Sequence, residues 1–155
     1  MSSKLQAELK QTKPFPRMTA EALLGILRTA AVLDHQIADA LRPTGITPTQ
    51  YNVLRILRGA GSRALCGREV AQRLVSKVPD VSRLLDRMAE MGLLSRERSA
   101  DDRRHVLVRI TDKGRTLLDR SSPALEEIER TRFGRLDRQG VERLITILDQ
   151  VRGAG

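Results

Sequence analysis

Two groups of side chains in this chain could do chemistry with a partner. The first is Ser82, Arg83 and Arg87, which fall on one face of a helical pattern; the second is the run Asp102-Arg103-Arg104. A guanidinium presents a planar fork of donors that matches phosphate oxygens or the acceptor edge of guanine, and a serine hydroxyl can donate to or accept from a base edge. A carboxylate beside two arginines can hold one guanidinium in place through a bidentate pair. This is binding chemistry. No nucleophile and base fall into a recognisable catalytic arrangement, no glycine-rich loop is built to cradle phosphates, and no carboxylate pair stands apart from ordinary helix salt bridges. The chain is therefore not expected to be an enzyme. Arg83 and Arg87 have a plainer reading too, because Asp86 and Glu90 lie at i,i+3 from them and could simply pair with them on a solvated helix face. The helix alone does not choose between the two.

The elements around these residues do choose. In GREVAQRLVSKVPDVSRLLDRMAEMGLL, Val70, Ala71 and Leu74 give a short helix its inward face. The pattern breaks at Val75 to Val78, and Pro79, which has no N–H to donate, is expected in the first turn of the next helix. Val81, Leu84, Leu85, Met88 and Met91 then recur at three- and four-residue steps and form a buried stripe. That stripe turns Asp80, Ser82, Arg83, Asp86, Arg87 and Glu90 outward, with Ser82 and Arg83 near the end that a recognition helix presents to the major groove. Gly92 ends the helix. Leu94 to Arg98 reads as extended, Ser99 to Arg104 as a polar tip, and His105 to Ile110 as a half-buried strand with Val106, Val108 and Ile110 on one side. A helix-turn-helix followed by a β-hairpin is a winged helix, and two arginines at its tip can reach phosphates or the minor groove. The candidate DNA-binding residues are Lys77, Asp80, Ser82, Arg83, Arg87, Arg103 and Arg104, with Asp102 orienting the wing.

Other segments brace this stretch. Ile46-Thr47-Pro48-Thr49-Gln50-Tyr51 carries four helix-start signals: Thr47 as cap, Pro48 at the first helical position, Gln50 closing a capping box, and Ile46 able to pack on Tyr51. That helix should stop at Gly59 to Gly61. Ala64-Leu65 suggests a brief strand, followed by a helix capped imperfectly by Cys66 with Glu69 at N3. Upstream, residues 1–18 read as an arm interrupted by Pro14 and Pro16. A long helix capped by Thr19 is expected over 19–42, with Leu23, Ile26, Leu27, Ala30, Leu33, Ile37 and Leu41 on its stripe. Downstream, Thr111 caps a helix carrying Leu117, Leu118, Ser121, Leu125 and Ile128, with Pro123 predicting a kink. Asp137 starts a last helix, whose stripe is Val141, Leu144, Ile145, Leu148 and Val151 and which ends at Gly153-Ala154-Gly155. The expected fold is mainly α with a small β-hairpin wing. One domain fills 19–155, with a winged helix-turn-helix core at about 46–111 and dimerisation helices at about 19–42 and 112–152. The terminal stripes exceed what the core can cover, which points to a two-fold dimer.

Composition agrees. With 28 Lys+Arg against 19 Asp+Glu the net charge is +9, which suits a phosphate-bearing partner or simply a basic surface. Only 2% of residues are aromatic, so the core must be aliphatic. One cysteine excludes an internal disulfide, and Cys66 with the distant His35 and His105 shows no metal-ligand spacing, so no cofactor or metal is expected. A thiol at a helix N-terminus could be redox-reactive, but a small, half-buried residue is the plainer reading of Cys66. His35 reads as surface or core filler. Nothing resembles a secretory signal or a membrane span, and a cytoplasmic protein with no membrane partner is expected.

Taken together, GITPTQYNVLRIL, REVAQRLVSKVPDVSRLLDRMAEMGLLSR and DDRRHVLVRITDKG resemble the MarR family of bacterial winged-helix transcriptional regulators. The resemblance runs from about Thr19 to the C-terminus, and the wing motif with its following strand, Ile-Thr and Lys-Gly is its most specific part. It implies that Asp102 and Arg104 match the family's Asp-x-Arg wing pair, with the arginine entering the minor groove, and that Ser82 and Arg83 face DNA. It also implies a homodimer on a pseudo-palindromic operator and release by a small-molecule effector. Two departures stand out: the Lys77-Val78-Pro79 entry replaces the commoner Ser/Thr-rich one, and Cys66 does not match the N-terminal sensing cysteine of the peroxide-responsive branch. The expected function is sequence-specific transcriptional regulation, in the first instance repression. The alternatives are a nonspecific architectural DNA binder and a protein-interaction module that binds no DNA.

Overall fold

A computed structural model describes residues 3–153; Met1 and Ser2 of the expected arm and Ala154 and Gly155 of the expected C-terminal stop lie outside the described residues. The chain divides into two compact units, Met1–Asp39 and Ala40–Gly155.

The first unit holds α1 (Lys4–Glu8) and most of α2 (Met18–Leu41). Ser3 caps α1 by accepting the Gln6 N–H at 3.2 Å. Gly25 of α2 faces Leu5, whose Cδ2 would stand 3.7 Å from a Cβ at that position, so the short helix rests on the long one. The Arg17 carbonyl accepts the N–H groups of Ala20 and Glu21, at 3.0 and 3.2 Å. The helix therefore opens one residue ahead of Thr19, which falls inside the first turn instead of capping it. His35 is a surface residue, paired with Asp39 at 3.3 Å. The apolar stripe of α2 is poorly covered, with Leu23 58% and Leu27 56% exposed.

The second unit begins with a 3-10 turn at Arg42–Thr44 and continues through α3 (Pro48–Gly59), β1 (Leu65–Cys66), α4 (Gly67–Arg73), α5 (Val81–Glu90), β2 (Leu94–Arg98), β3 (Val106–Ile110), α6 (Asp112–Phe133) and α7 (Arg138–Arg152). The predicted capping box of α3 is present in both directions: Thr47 Oγ1 accepts the Gln50 N–H at 3.2 Å, and Gln50 Oε1 accepts the Thr47 N–H at 3.0 Å. The sheet has three antiparallel strands in the order β1-β3-β2, so the brief strand before α4 joins the hairpin as its third member. Leu65 pairs with Val108, and Leu94 with Ile110. The core is aliphatic, as the composition required. Leu41, Val53, Leu54, Val70, Met88 and Leu118 have no exposed surface, and Leu65, Leu93 and Val108 are equally enclosed. Each such side chain contributes about 1.5–3 kcal/mol by leaving water.

Three short contacts weld α5, the sheet and α6 together. Thr111 Oγ1 donates to the Gly92 carbonyl at 2.6 Å and accepts the Gly114 N–H at 3.1 Å, while the Thr111 N–H donates to the Leu93 carbonyl at 3.2 Å. One threonine thus caps α6 and closes the end of α5. The helix passes through Pro123 without interruption. Near it, Ser121 Oγ and Ser122 Oγ donate to the carbonyls of Leu117 and Leu118, at 2.8 and 3.0 Å. Asp137 caps α7 through the Gly140 N–H at 2.7 Å, and Gly153 ends it in the left-handed conformation at φ 74°. No residue of α7 is buried, and Ile145, Ile147 and Val151 are 54, 55 and 62% exposed.

Candidate nucleic-acid interface

The recognition helix starts at Val81, two residues beyond Pro79, because Asp80 takes the cap: its Oδ1 accepts the Arg83 N–H at 2.9 Å. Pro79 therefore precedes the helix, which corrects its expected place in the first turn. A residue ahead of the helix whose carboxylate can reach the third N–H stabilises the start more than a proline inside it. Asp80, expected among the DNA contacts, is thus committed to fixing the end of α5. Leu85 and Met88 are buried, and Ser82, Arg83 and Arg87 point outward, as the periodicity predicts.

The ordinary pairing of those arginines does not form. Asp86 is taken by Arg96 of β2, which closes an ion pair onto it. Among the described residues Arg83 and Arg87 have no ion-pair partner, and the exposed Lys77 has none. Arg96 was not among the sequence candidates. Its partner lies on another element, so no helical spacing could reveal the pair. Arg109 likewise bonds Glu97 at 3.1 Å and the Ser62 carbonyl, tying the wing's base to the loop before β1.

At the tip, Ser99 donates its N–H to the His105 carbonyl at 2.9 Å, and His105 donates its N–H to the Asp102 carbonyl at 3.0 Å. Asp102 Oδ1 accepts the backbone N–H of Arg104 at 3.0 Å, and its other oxygen stands 3.4 Å from His105 Nε2. The expected bidentate pair with a guanidinium is absent. A short aspartate side chain reaches the amide two residues on more readily than a long, mobile side chain can fold back to it. Asp102 therefore orients Arg104 through the backbone, and the Arg103 and Arg104 side chains stay exposed without an ion pair among the described residues.

Helix and wing meet at a cleft of about 570 Å³, lined by Cys66, Arg68, Ser82, Arg96, Arg104 and His105 among others. Cys66 is half-buried at the start of α4, and its N–H donates to Glu69 at 3.0 Å. That backbone bond, helped by Arg63 and Arg73, holds the Glu69 carboxyl below the usual glutamate range. Among the described residues, no cluster of three or more potential metal ligands occurs, and no helix is long and apolar enough to cross a membrane.

A helix-turn-helix whose second helix lies beside an arginine-tipped antiparallel hairpin is a winged helix-turn-helix. The MarR family model matches residues 44–105, the head just described as far as the end of the wing tip. Over 93 residues the chain is 32% identical to the HTH-type transcriptional regulator YkoM of Bacillus subtilis, covering 60% of this chain and 58% of that one. The matched stretch spans 50% and 62% of the length of two further regulators of that organism. Among solved structures, a MarR transcription factor from Planctomyces limnophilus is 29% identical at a TM-score of 0.67, covering 88% of this chain and 99% of its own. The transcriptional repressor CouR, bound to a 23-mer DNA duplex, is 26% identical at a TM-score of 0.72, covering 90% and 99%. Over residues 44–105 the chain matches the MarR family, a family of transcriptional regulators, and its relatives there are transcriptional regulators too.

Proposed function

We propose that this protein is a sequence-specific repressor that binds a pseudo-palindromic operator as a homodimer, with half-sites about 10 bp apart. The observation that carries the reading is that Ser82 of the recognition helix and Arg104 of the wing line one cleft, while Arg83, Arg87, Arg103 and Arg104 have no ion-pair partner among the described residues. Phosphates are the natural partners for such cations. Arg103 and Lys77 would supply salt-dependent affinity, Ser82, Arg83 and Arg87 base discrimination, and Arg104 readout of groove shape. Asp80 and Asp102 serve these contacts by fixing backbone. Repression is supported by the similarity to CouR.

The dimer reading rests on the exposed stripes of α2 and α7, each uncovered in its own unit. Sedimentation at micromolar concentration should give a mass near twice 17.3 kDa. Competition between selected operator and random DNA at fixed salt should favour the operator by about 10³-fold or more. Equal affinity for both would make the protein a nonspecific architectural binder, and a stable monomer would sink the two-fold model.

An effector is the third part of the proposal. The cleft beside Arg104 has the volume of a small-molecule site and mixes apolar walls with Arg68 and Arg96, which suits a small organic acid. A compound seated there would compete with DNA for Arg104. In a fluorescence-anisotropy screen of aromatic acids, at least one should release the protein from its operator, and that release should be weaker in Arg68→Ala. If no acid weakens operator binding, the cleft is not an effector site.

A further inference from the structure

Val75 stands in the turn between α4 and the recognition helix with 89% of its surface exposed. Among the described residues from 40 to 132 it is the one exposed large apolar side chain; the others lie between 9 and 27 or between 133 and 151. It does not sit there loosely. Its N–H donates to Asn52 Oδ1 of α3 at 2.8 Å, and the preceding Leu74 is extended at φ −65°, ψ 138°. The branched side chain adds stiffness, because valine has few rotamers open to it. Its neighbours Arg73, Ser76 and Lys77 are polar and exposed. A protein partner would need a contiguous apolar patch, and this is a single isopropyl group among cations. The partner that matches has one small apolar group set in a polyanion.

We infer that Val75 contacts the C5-methyl group of a thymine in each half-site and is a specificity-determining residue for operator choice. The thymine methyl is the apolar feature of the major-groove edge, and a rigidly held apolar side chain beside the recognition helix is suited to meet it. The inference rests on the operator-binding reading above. Val75 would distinguish T·A from C·G and A·T without a hydrogen bond, at a position next to those read by Ser82 and Arg83.

The test removes the methyl from the DNA. In a selected operator, each thymine is replaced singly, in both half-sites, by deoxyuridine, and affinities are measured by fluorescence anisotropy at fixed salt. One position per half-site should lose about fourfold on loss of its methyl, the worth of one buried methyl group. In Val75→Ala the same substitution should have no effect, and Val75→Ile should keep the sensitivity. The residue is on the surface, so both variants should melt with the wild type. A uracil-sensitive position that survives unchanged in Val75→Ala would overturn the inference, as would a wild-type protein indifferent to every methyl or an alanine variant weakened equally on all DNAs. Failure of the wild type to prefer any operator would instead bring down the operator-binding reading itself.

Discussion

Replacing Gly114 with alanine should destabilise the protein by about 3 kcal/mol, at the upper end of what overpacking a core costs. A Cβ at this position would stand 2.2 Å from the Leu93 carbonyl oxygen and 2.9 Å from Ile110 Cγ1. The first of these is backbone and cannot swing aside. Leu93 is also bonded to the Thr111 N–H, so relieving the clash means breaking the joint between sheet and helix. Thermal unfolding followed by circular dichroism should show a midpoint lower by about 6–12 °C at equal protein concentration. Gly59→Ala is the matched control. Nothing lies within 4 Å of a Cβ there, and the helical position should gain a few tenths of a kcal/mol. A Gly114→Ala protein as stable as the wild type would show that α6 does not approach the sheet as closely as described.

Arg104→Ala should weaken operator binding by about 1–3 kcal/mol, a factor between about 5 and 150, with the melting curve unchanged. Its guanidinium makes no ion pair within the protein among the described residues, so its removal costs the fold nothing. Arg104→Lys should recover only part of the loss, since an ammonium keeps the charge and loses the planar fork. Asp102→Ala should weaken binding less than Arg104→Ala, because Asp102 acts one step back, on the Arg104 amide. Unchanged affinity of Arg104→Ala at fixed salt would remove the wing from the interface.

How much of this was legible in the sequence depends on the range of each interaction. The capping box at Thr47 and Gln50, the Thr111 and Asp137 caps and the buried stripe of α5 all rest on contacts within a few residues, and all are in place. The β2 strand lies where the extended run was read, and β3 begins one residue inside the alternating run expected from His105. What sequence spacing could not show was choice among competing local partners. Pro79 was expected inside the first turn of α5, and the Asp80 carboxylate, read only as an outward DNA contact, starts the helix beyond it. Asp86 could have bonded Arg83 along its own helix, and a strand residue ten positions away took it instead. At the wing tip, a backbone amide took Asp102 where a guanidinium was expected. At the wing tip the shorter reach won, because ordering the several rotatable bonds of a guanidinium side chain costs more entropy. The outward arginines were legible as a face, while their lack of ion-pair partners became visible only once Asp86 was seen to be occupied.

The Thr111 joint has a mechanical consequence. Because one hydroxyl is bonded both to the close of the recognition helix and to the start of α6, and Gly114 lets the two backbones touch, there is no soft point between them. A helix of 22 residues is about 33 Å long. Used as a lever about that joint, it converts a tilt of about 5° at one end into a displacement of about 3 Å at the other, close to the rise of one base-pair step. The threonine therefore works as a coupling, through which a rotation of α6 is passed on to the close of α5.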